Sequence, residues 1–164
     1  MAKSSGSSES SGSKGESGKT NWLAILRVYL GAYFLHASIG KFTTSYLGEF
    51  SRTLSRWAHD SSFDAYRLFL NHWVVPHAKF FAYFTAIGEF YVGVALIIGF
   101  LSGLAAMFGI FFYGNYYLGS GGGDEVWILG LVIVCLFTVL FTGAGRIWGI
   151  DKHLSKKILF KYLV

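Results

Sequence analysis

Residues 80–118 read FFAYFTAIGEFYVGVALIIGFLSGLAAMFGIFFYGNYYL, and this stretch decides how the chain folds. It is almost entirely apolar, and as one straight helix it would be about 58 Å long. That length is about twice the hydrocarbon thickness of a bilayer, so the run has to fold back on itself. The segment GFLSG at 99–103 contains turn-favouring glycines. We therefore predict a helical hairpin with spans over about 80–101 and 103–118.

Two more apolar segments flank this hairpin. Residues 22–40 are interrupted mainly by Arg27, His36 and Ser38, and residues 126–144 carry almost no polar side chains. About 20 apolar residues cross a bilayer as a helix, so both segments are long enough to span it. The sequence thus predicts an all-α fold, a polytopic membrane four-helix bundle over residues 22–145.

The composition agrees with a membrane protein. Hydrophobic residues make up 53% of the 164 residues and charged residues only 14%, whereas a soluble domain has about 25% charged residues. This balance excludes a soluble enzyme and a nucleic-acid-binding domain, so the expected surroundings are lipid and other membrane-protein subunits. The single cysteine, Cys135, forms no intrachain disulfide and is interpreted as a small core residue.

The loop between the first two spans contains two amphipathic patterns. Apolar residues recur there at helical spacing, and they are Leu47, Phe50, Leu54 and Trp57 in the first pattern and Phe63, Tyr66, Leu70 and Trp73 in the second. We predict two short interfacial helices, the second ending before Pro76. They act either as a lid over a site that opens outward or as a plain connection.

The chain ends differ from the bundle in composition. Residues 1–21 are mostly Ser, Gly, Lys and Glu, so we predict a disordered tail. Residues 146–164 carry five basic residues against one acidic residue and predict a basic interfacial C-terminal helix. The loop with Asp124 and Glu125 has no basic residue. The positive-inside rule then places both termini on the cytoplasmic side.

The candidate site consists of polar residues at membrane depth: Arg27, Lys41, Glu89 and Asn115. A charge at the bilayer centre costs at least about 2.5–3.5 kcal/mol, so it usually faces the bundle interior and pairs. Arg27 and Lys41 share one helix face, whereas His36 lies on the other. An Arg27–Glu89 pair is either a structural ion pair or part of a polar pocket for a membrane-soluble ligand. No histidine pattern predicts a metal site.

Several short motifs add a family resemblance. They are LRVYLG at 26–31, GKF at 40–42, GE at 88–89, TGAGR at 142–146 and WGID at 148–151. In order and spacing they resemble the DoxX family of small four-span membrane proteins, which is related to the small subunit of thiosulfate:quinone oxidoreductase. The resemblance implies a prokaryotic cytoplasmic membrane and redox chemistry near the quinone pool. It matches Arg27, Lys41 and Glu89 to the family's polar positions, with Asn115 and Arg146 as further matches.

Two functions follow as hypotheses. The sequence contains no CxxC pair, dinucleotide fingerprint or P-loop, so an electron carrier has to come from a partner or a bound quinone. The first hypothesis is a subunit of a quinone-linked membrane redox complex, with Arg27, Lys41 and Glu89 near a quinone or a sulfur substrate and no covalently bound cofactor. The second is a non-catalytic accessory subunit that braces a larger respiratory or photosynthetic complex.

Overall fold

The computed structural model describes residues 12–43, 45–61, 63–120, 122–146 and 149–151, apart from the side chains of 12–20 and of Arg146. Within these ranges the chain is helical and has no strand, which confirms the all-α prediction. The α-helices are α1 (Gly12–Ile39), α2 (Tyr46–Asp60), α3 (Asp64–Phe69), α4 (Ala78–Ile98), α5 (Ser102–Gly119) and α6 (Glu125–Thr142).

Three helical segments of the described chain are long and apolar enough to cross a membrane, compared with the four predicted spans. They are Asn21–Phe42, Asp64–Ile98 and Glu125–Thr142. The remaining predicted span corresponds to α5, and the turn that separates it from α4 lies where the sequence predicts it. Its glycines, tyrosines and single asparagine make α5 less hydrophobic than the other spans.

The ends of the chain differ from the sequence prediction in extent. Helix α1 begins at Gly12, so residues 12–21 are helical where we predicted a disordered tail. Adding turns to an existing helix avoids the cost of nucleation, which explains how a polar segment can continue an apolar helix. The rest of that tail, residues 1–11, and most of the predicted C-terminal helix, residues 152–164, lie outside the described residues.

The first loop forms helices α2 and α3, which cover one end of the bundle. Helix α2 buries Phe50 and Leu54 against Leu70, Val74 and Ala82. Helix α3 ends at Phe69, before the proline as predicted, and a π turn (Leu70–Val74) and a 3-10 turn (Val75–His77) continue the helical path to α4. Proline lacks a backbone N–H, so the chain changes its hydrogen-bond pattern there without leaving the helix.

A close helix crossing joins α1 to α4. Gly31 of α1 faces Gly93 of α4, and a Cβ atom on Gly93 would lie 2.8 Å from the backbone nitrogen of Leu35 and 3.0 Å from the carbonyl oxygen of Gly31. Small residues at such a crossing let two backbones approach closely. Leu30, Phe34, Val92, Leu96 and Leu136 form the apolar core beside it.

The turn between α4 and α5 is fixed by the chain segment that follows α6. Gly99 and Leu101 adopt left-handed conformations, with φ of 71° and 49°. The Asp151 carboxylate accepts hydrogen bonds from the backbone N–H groups of Leu101 (2.6 Å) and Ser102 (2.9 Å). Asp151 therefore satisfies free N–H groups at the start of α5, as a capping side chain does.

We expect Gly93→Ala to destabilise the protein by about 1–3 kcal/mol, because the added methyl group meets rigid backbone and forces α1 and α4 apart. The matched control is Gly114→Ala in α5, where a Cβ atom meets nothing within 4 Å. Thermal unfolding of the detergent-solubilised chain, followed by circular dichroism, measures both. Equal melting temperatures for the two variants would contradict the close crossing.

Candidate functional site

Lys41, Glu89 and Tyr116 form a buried polar cluster inside the bundle. The Lys41 ammonium forms an ion pair with the Glu89 carboxylate and donates a hydrogen bond of 2.8 Å to the Tyr116 hydroxyl. That hydroxyl donates in turn to the second carboxylate oxygen of Glu89, at 2.5 Å. Both carboxylate oxygens are therefore hydrogen-bonded, and the Glu89 side chain is 0% exposed.

Each member of this cluster comes from a different segment. Lys41 lies in the 3-10 turn Gly40–Phe42 that follows α1, Glu89 lies at the middle of α4, and Tyr116 lies in the last turns of α5. The lysine ammonium also lies 5.0 Å from the centroid of the Tyr116 ring, within cation–π range. A carboxylate this deeply buried is tolerated only because it is paired and hydrogen-bonded.

A cleft of about 330 Å³ opens beside the cluster, and Lys41 and Tyr116 line it. Tyr46 also lines the cleft, and its hydroxyl is buried without a hydrogen-bond partner among the described residues. Burial, and then the nearby Glu89 carboxylate, raise the pKa of the Tyr46 hydroxyl well above its ordinary value. Tyr46 thus stays protonated at neutral pH and keeps an unused hydrogen-bond donor.

A second cavity, of about 70 Å³, also has Tyr116 in its lining. Most of its lining is aromatic or aliphatic, and Thr85 and Asn115 provide polar groups. Asn115 does not join the charged cluster as its predicted depth suggested. The backbone carbonyl oxygen of Asn115 accepts a hydrogen bond of 3.1 Å from the Tyr66 hydroxyl. The side-chain amide of Asn115 donates a hydrogen bond of 2.7 Å to the backbone carbonyl oxygen of Phe111.

The predicted Arg27–Glu89 pair is wrong. The Arg27 guanidinium donates a hydrogen bond of 2.8 Å to the carbonyl oxygen of Ala144 and packs against Gly99 and Gly149. Arg27 and Lys41 are separated by about 21 Å along the helix axis, so they belong to opposite ends of the bundle. Helical periodicity gave the correct inward direction for Arg27, which is buried, but not its partner.

Two residues that hold these polar groups in place were not among the predicted site residues. Tyr116 adjoins Asn115 in the sequence, yet a tyrosine in an apolar helix is common and gives no signal of a buried hydroxyl. Asp151 is fully buried, and in the sequence it stood out only as part of the WGID motif and as a single acid among the basic residues that follow α6. Arg146 is described here only for its backbone, so its match to the family stays a prediction.

We expect Lys41→Met to destabilise the protein strongly, by about 3–5 kcal/mol, because it leaves the Glu89 carboxylate buried without its cation. The double variant Lys41→Met/Glu89→Gln removes both charges and should recover part of that stability. Unfolding free energies of the two single variants and the double variant in detergent measure the coupling. If the effects of the single variants simply add, the buried ion pair is absent.

Comparison with known proteins agrees with this architecture. The family model named DoxX matches residues 22–115, which is more than half of the chain and includes Arg27, Lys41, Glu89 and Asn115. No solved structure matches the chain. The matched segment covers two of the apolar membrane-length helical segments and most of α5. The chain therefore belongs to the DoxX family and is an integral membrane protein in contact with lipid.

Proposed function

We propose that the protein is a subunit of a quinone-linked membrane redox complex and that a quinone head group binds beside Lys41, Glu89 and Tyr116. The observation that carries this proposal is the position of the cluster. Within the cluster, Glu89 is buried, Lys41 lines an open cleft, and Tyr116 lines an apolar cavity. Charged groups of this kind inside an apolar bundle mark functional sites more often than chance.

The chemistry of these side chains suits a quinone. Its ring oxygens accept hydrogen bonds, and Lys41 and Tyr46 are donors beside the cleft. The free hydroxyl of Tyr46 fits this purpose because it has no partner among the described residues. When bound, the quinone supplies the electron transfer, and an associated subunit supplies the other redox centre.

The proposal includes a topology with four membrane spans. Helix α5 packs between α4 and α6, and its 18 residues extend about 27 Å, close to the hydrocarbon thickness. With α5 as the additional crossing, the two chain ends lie on the same side. The basic residues after α6 favour the cytoplasmic side of a prokaryotic inner membrane.

A non-catalytic accessory subunit is the second candidate. The exposure of helix α6 favours it, because only 17% of the residues of this helix are buried within the chain. Trp127 and Phe141 on this helix are 81% and 80% exposed. Such a face contacts lipid or the transmembrane helix of another subunit, and it needs no cofactor to do so.

Purification of the full chain from its native membranes in mild detergent distinguishes the two candidates. We expect the wild type to carry quinone at near-equimolar amount, measured by solvent extraction and chromatography, together with a cofactor-bearing redox protein. We expect Glu89→Gln to lose most of the quinone because the hydrogen-bonded charge cluster is altered. Asp124→Asn, an exposed carboxylate outside the cluster, is the control and should retain it.

The outcomes separate clearly. Copurification at fixed stoichiometry without quinone, and with no effect of Glu89→Gln, would support the accessory subunit and exclude the redox site. Isolation of the chain alone, without quinone or a redox partner, would exclude both functions.

A further inference from the structure

We infer that a flat, conjugated lipophile enters this protein sideways from the membrane, through an aromatic groove between α4 and α5 that Phe84 and Phe112 close off from the polar cluster. The inference rests on the proposed function, because it takes the ligand class from there. It adds a binding surface and an entry route that the cluster alone does not define.

The groove has a volume of about 540 Å³ and lies on the exposed face of α4. Its α4 wall consists of residues three or four positions apart, so they share one helix face, and they are Phe80, Tyr83, Phe84, Ile87, Gly88 and Tyr91. Phe108 and Phe112 of α5 form the other wall. The lining is almost entirely apolar and mostly aromatic.

Gly88 shapes the floor of this groove. The Phe112 ring lies directly over it, and a Cβ atom at position 88 would come 2.6 Å from the Cε2 atom of that ring. Any larger residue there would displace Phe112, which is 3% exposed. The glycine that precedes Glu89 therefore lets an aromatic ring pack against α4 between the groove and the interior.

Two aromatic rings separate the groove from the internal cavity. Phe84 and Phe112 line both spaces, and their ring centroids are 5.6 Å apart in an edge-to-face arrangement. Tyr116 lines both that cavity and the cleft, and its hydroxyl contacts Glu89. A continuous series therefore runs from the lipid-facing groove through the two phenylalanines to the charged cluster.

The cavity beyond the two phenylalanines is small. An apolar cavity of about 150 Å³ binds benzene, whereas the space beyond Phe84 and Phe112 has only about 70 Å³. Phe84 is 40% exposed, so its side chain can rotate toward the membrane without leaving a packed core. Rotation of Phe84 would join the groove to the cavity and allow a ring to reach Tyr116.

The lining favours a flat ring over a lipid acyl chain. Aromatic side chains pair with other rings in offset or edge-to-face arrangements that stabilise by about 0.5–1.5 kcal/mol beyond area burial. An acyl chain gains only the burial. Thr85, Asn115 and Tyr116 at the far end give the polar groups that a ligand with a hydrogen-bonding head requires, and an acyl chain has none to match them.

A binding measurement with a groove-blocking variant tests the inference. The probe is a radiolabelled benzoquinone with a decyl tail, added to the full chain in nanodiscs, with binding to empty nanodiscs subtracted. A decyl cyclohexane is the comparison ligand, because it has the same tail on a saturated ring. Ile87→Trp fills the groove, and Ile128→Trp on α6 is its matched control, since both isoleucines are 59% exposed and position 128 lies outside the groove.

We expect the wild type and Ile128→Trp to bind the quinone equally, Ile87→Trp to raise its Kd at least about tenfold, and the saturated ligand to bind no protein specifically. Unfolding temperatures of all three proteins should agree, since the substitutions are on exposed positions. A Kd for Ile87→Trp equal to that of the wild type overturns the lateral route, as does equal binding of the saturated ligand, which would make the groove an ordinary lipid contact.

The same experiment keeps this inference separate from the proposed function. Quinone binding that is lost in Glu89→Gln but retained in Ile87→Trp overturns the groove and leaves the redox site standing. If Ile87→Trp loses quinone binding and the wild type purifies without any redox partner, the groove is supported and the proposed redox complex is overturned. No specific quinone binding by the wild type overturns the groove directly.

Discussion

A charged carboxylate lies at the middle of an apolar helical bundle, and the surrounding helices are arranged so that it is never left unpaired. Moving an ion out of water costs several kcal/mol even after the protein relaxes, so Glu89 needs Lys41 and Tyr116 at the same time. These partners come from the end of α1 and from α5. The ion pair and its hydrogen bonds therefore fix the positions of these three segments relative to one another more specifically than apolar packing alone would.

The close crossing of α1 and α4 sets the geometry that the ion pair requires. Gly31 and Gly93 allow the two backbones to meet, which brings the turn after α1 over the centre of α4. At the opposite end, Arg27 and Asp151 attach the segment after α6 to the α4–α5 turn. The bundle is thus held by polar contacts at two levels, with apolar packing between them.

Sequence reasoning could identify the buried charges but not all of their partners. Glu89 and Lys41 are conspicuous in the sequence because a charge inside an apolar segment is costly. The turn between α4 and α5 could also be predicted, because residues 80–118 are too long for one membrane span. Helical periodicity specifies a direction for Arg27, whereas its actual partner is a backbone carbonyl oxygen after α6. Tyr116 could not be recognised, because the role of a hydroxyl depends on which helix it faces after folding.

Solid-state NMR of the full chain in lipid bilayers shows whether Lys41 and Glu89 form the buried ion pair. Dipolar recoupling between ¹⁵N-labelled lysine side chains and ¹³C-labelled glutamate carboxyl groups reports ion pairs closer than about 4 Å. We expect a lysine–glutamate cross-peak that disappears in Lys41→Met and in Glu89→Gln. A spectrum without that cross-peak, or one that either variant leaves unchanged, would contradict the buried cluster on which the fold and the proposed site both depend.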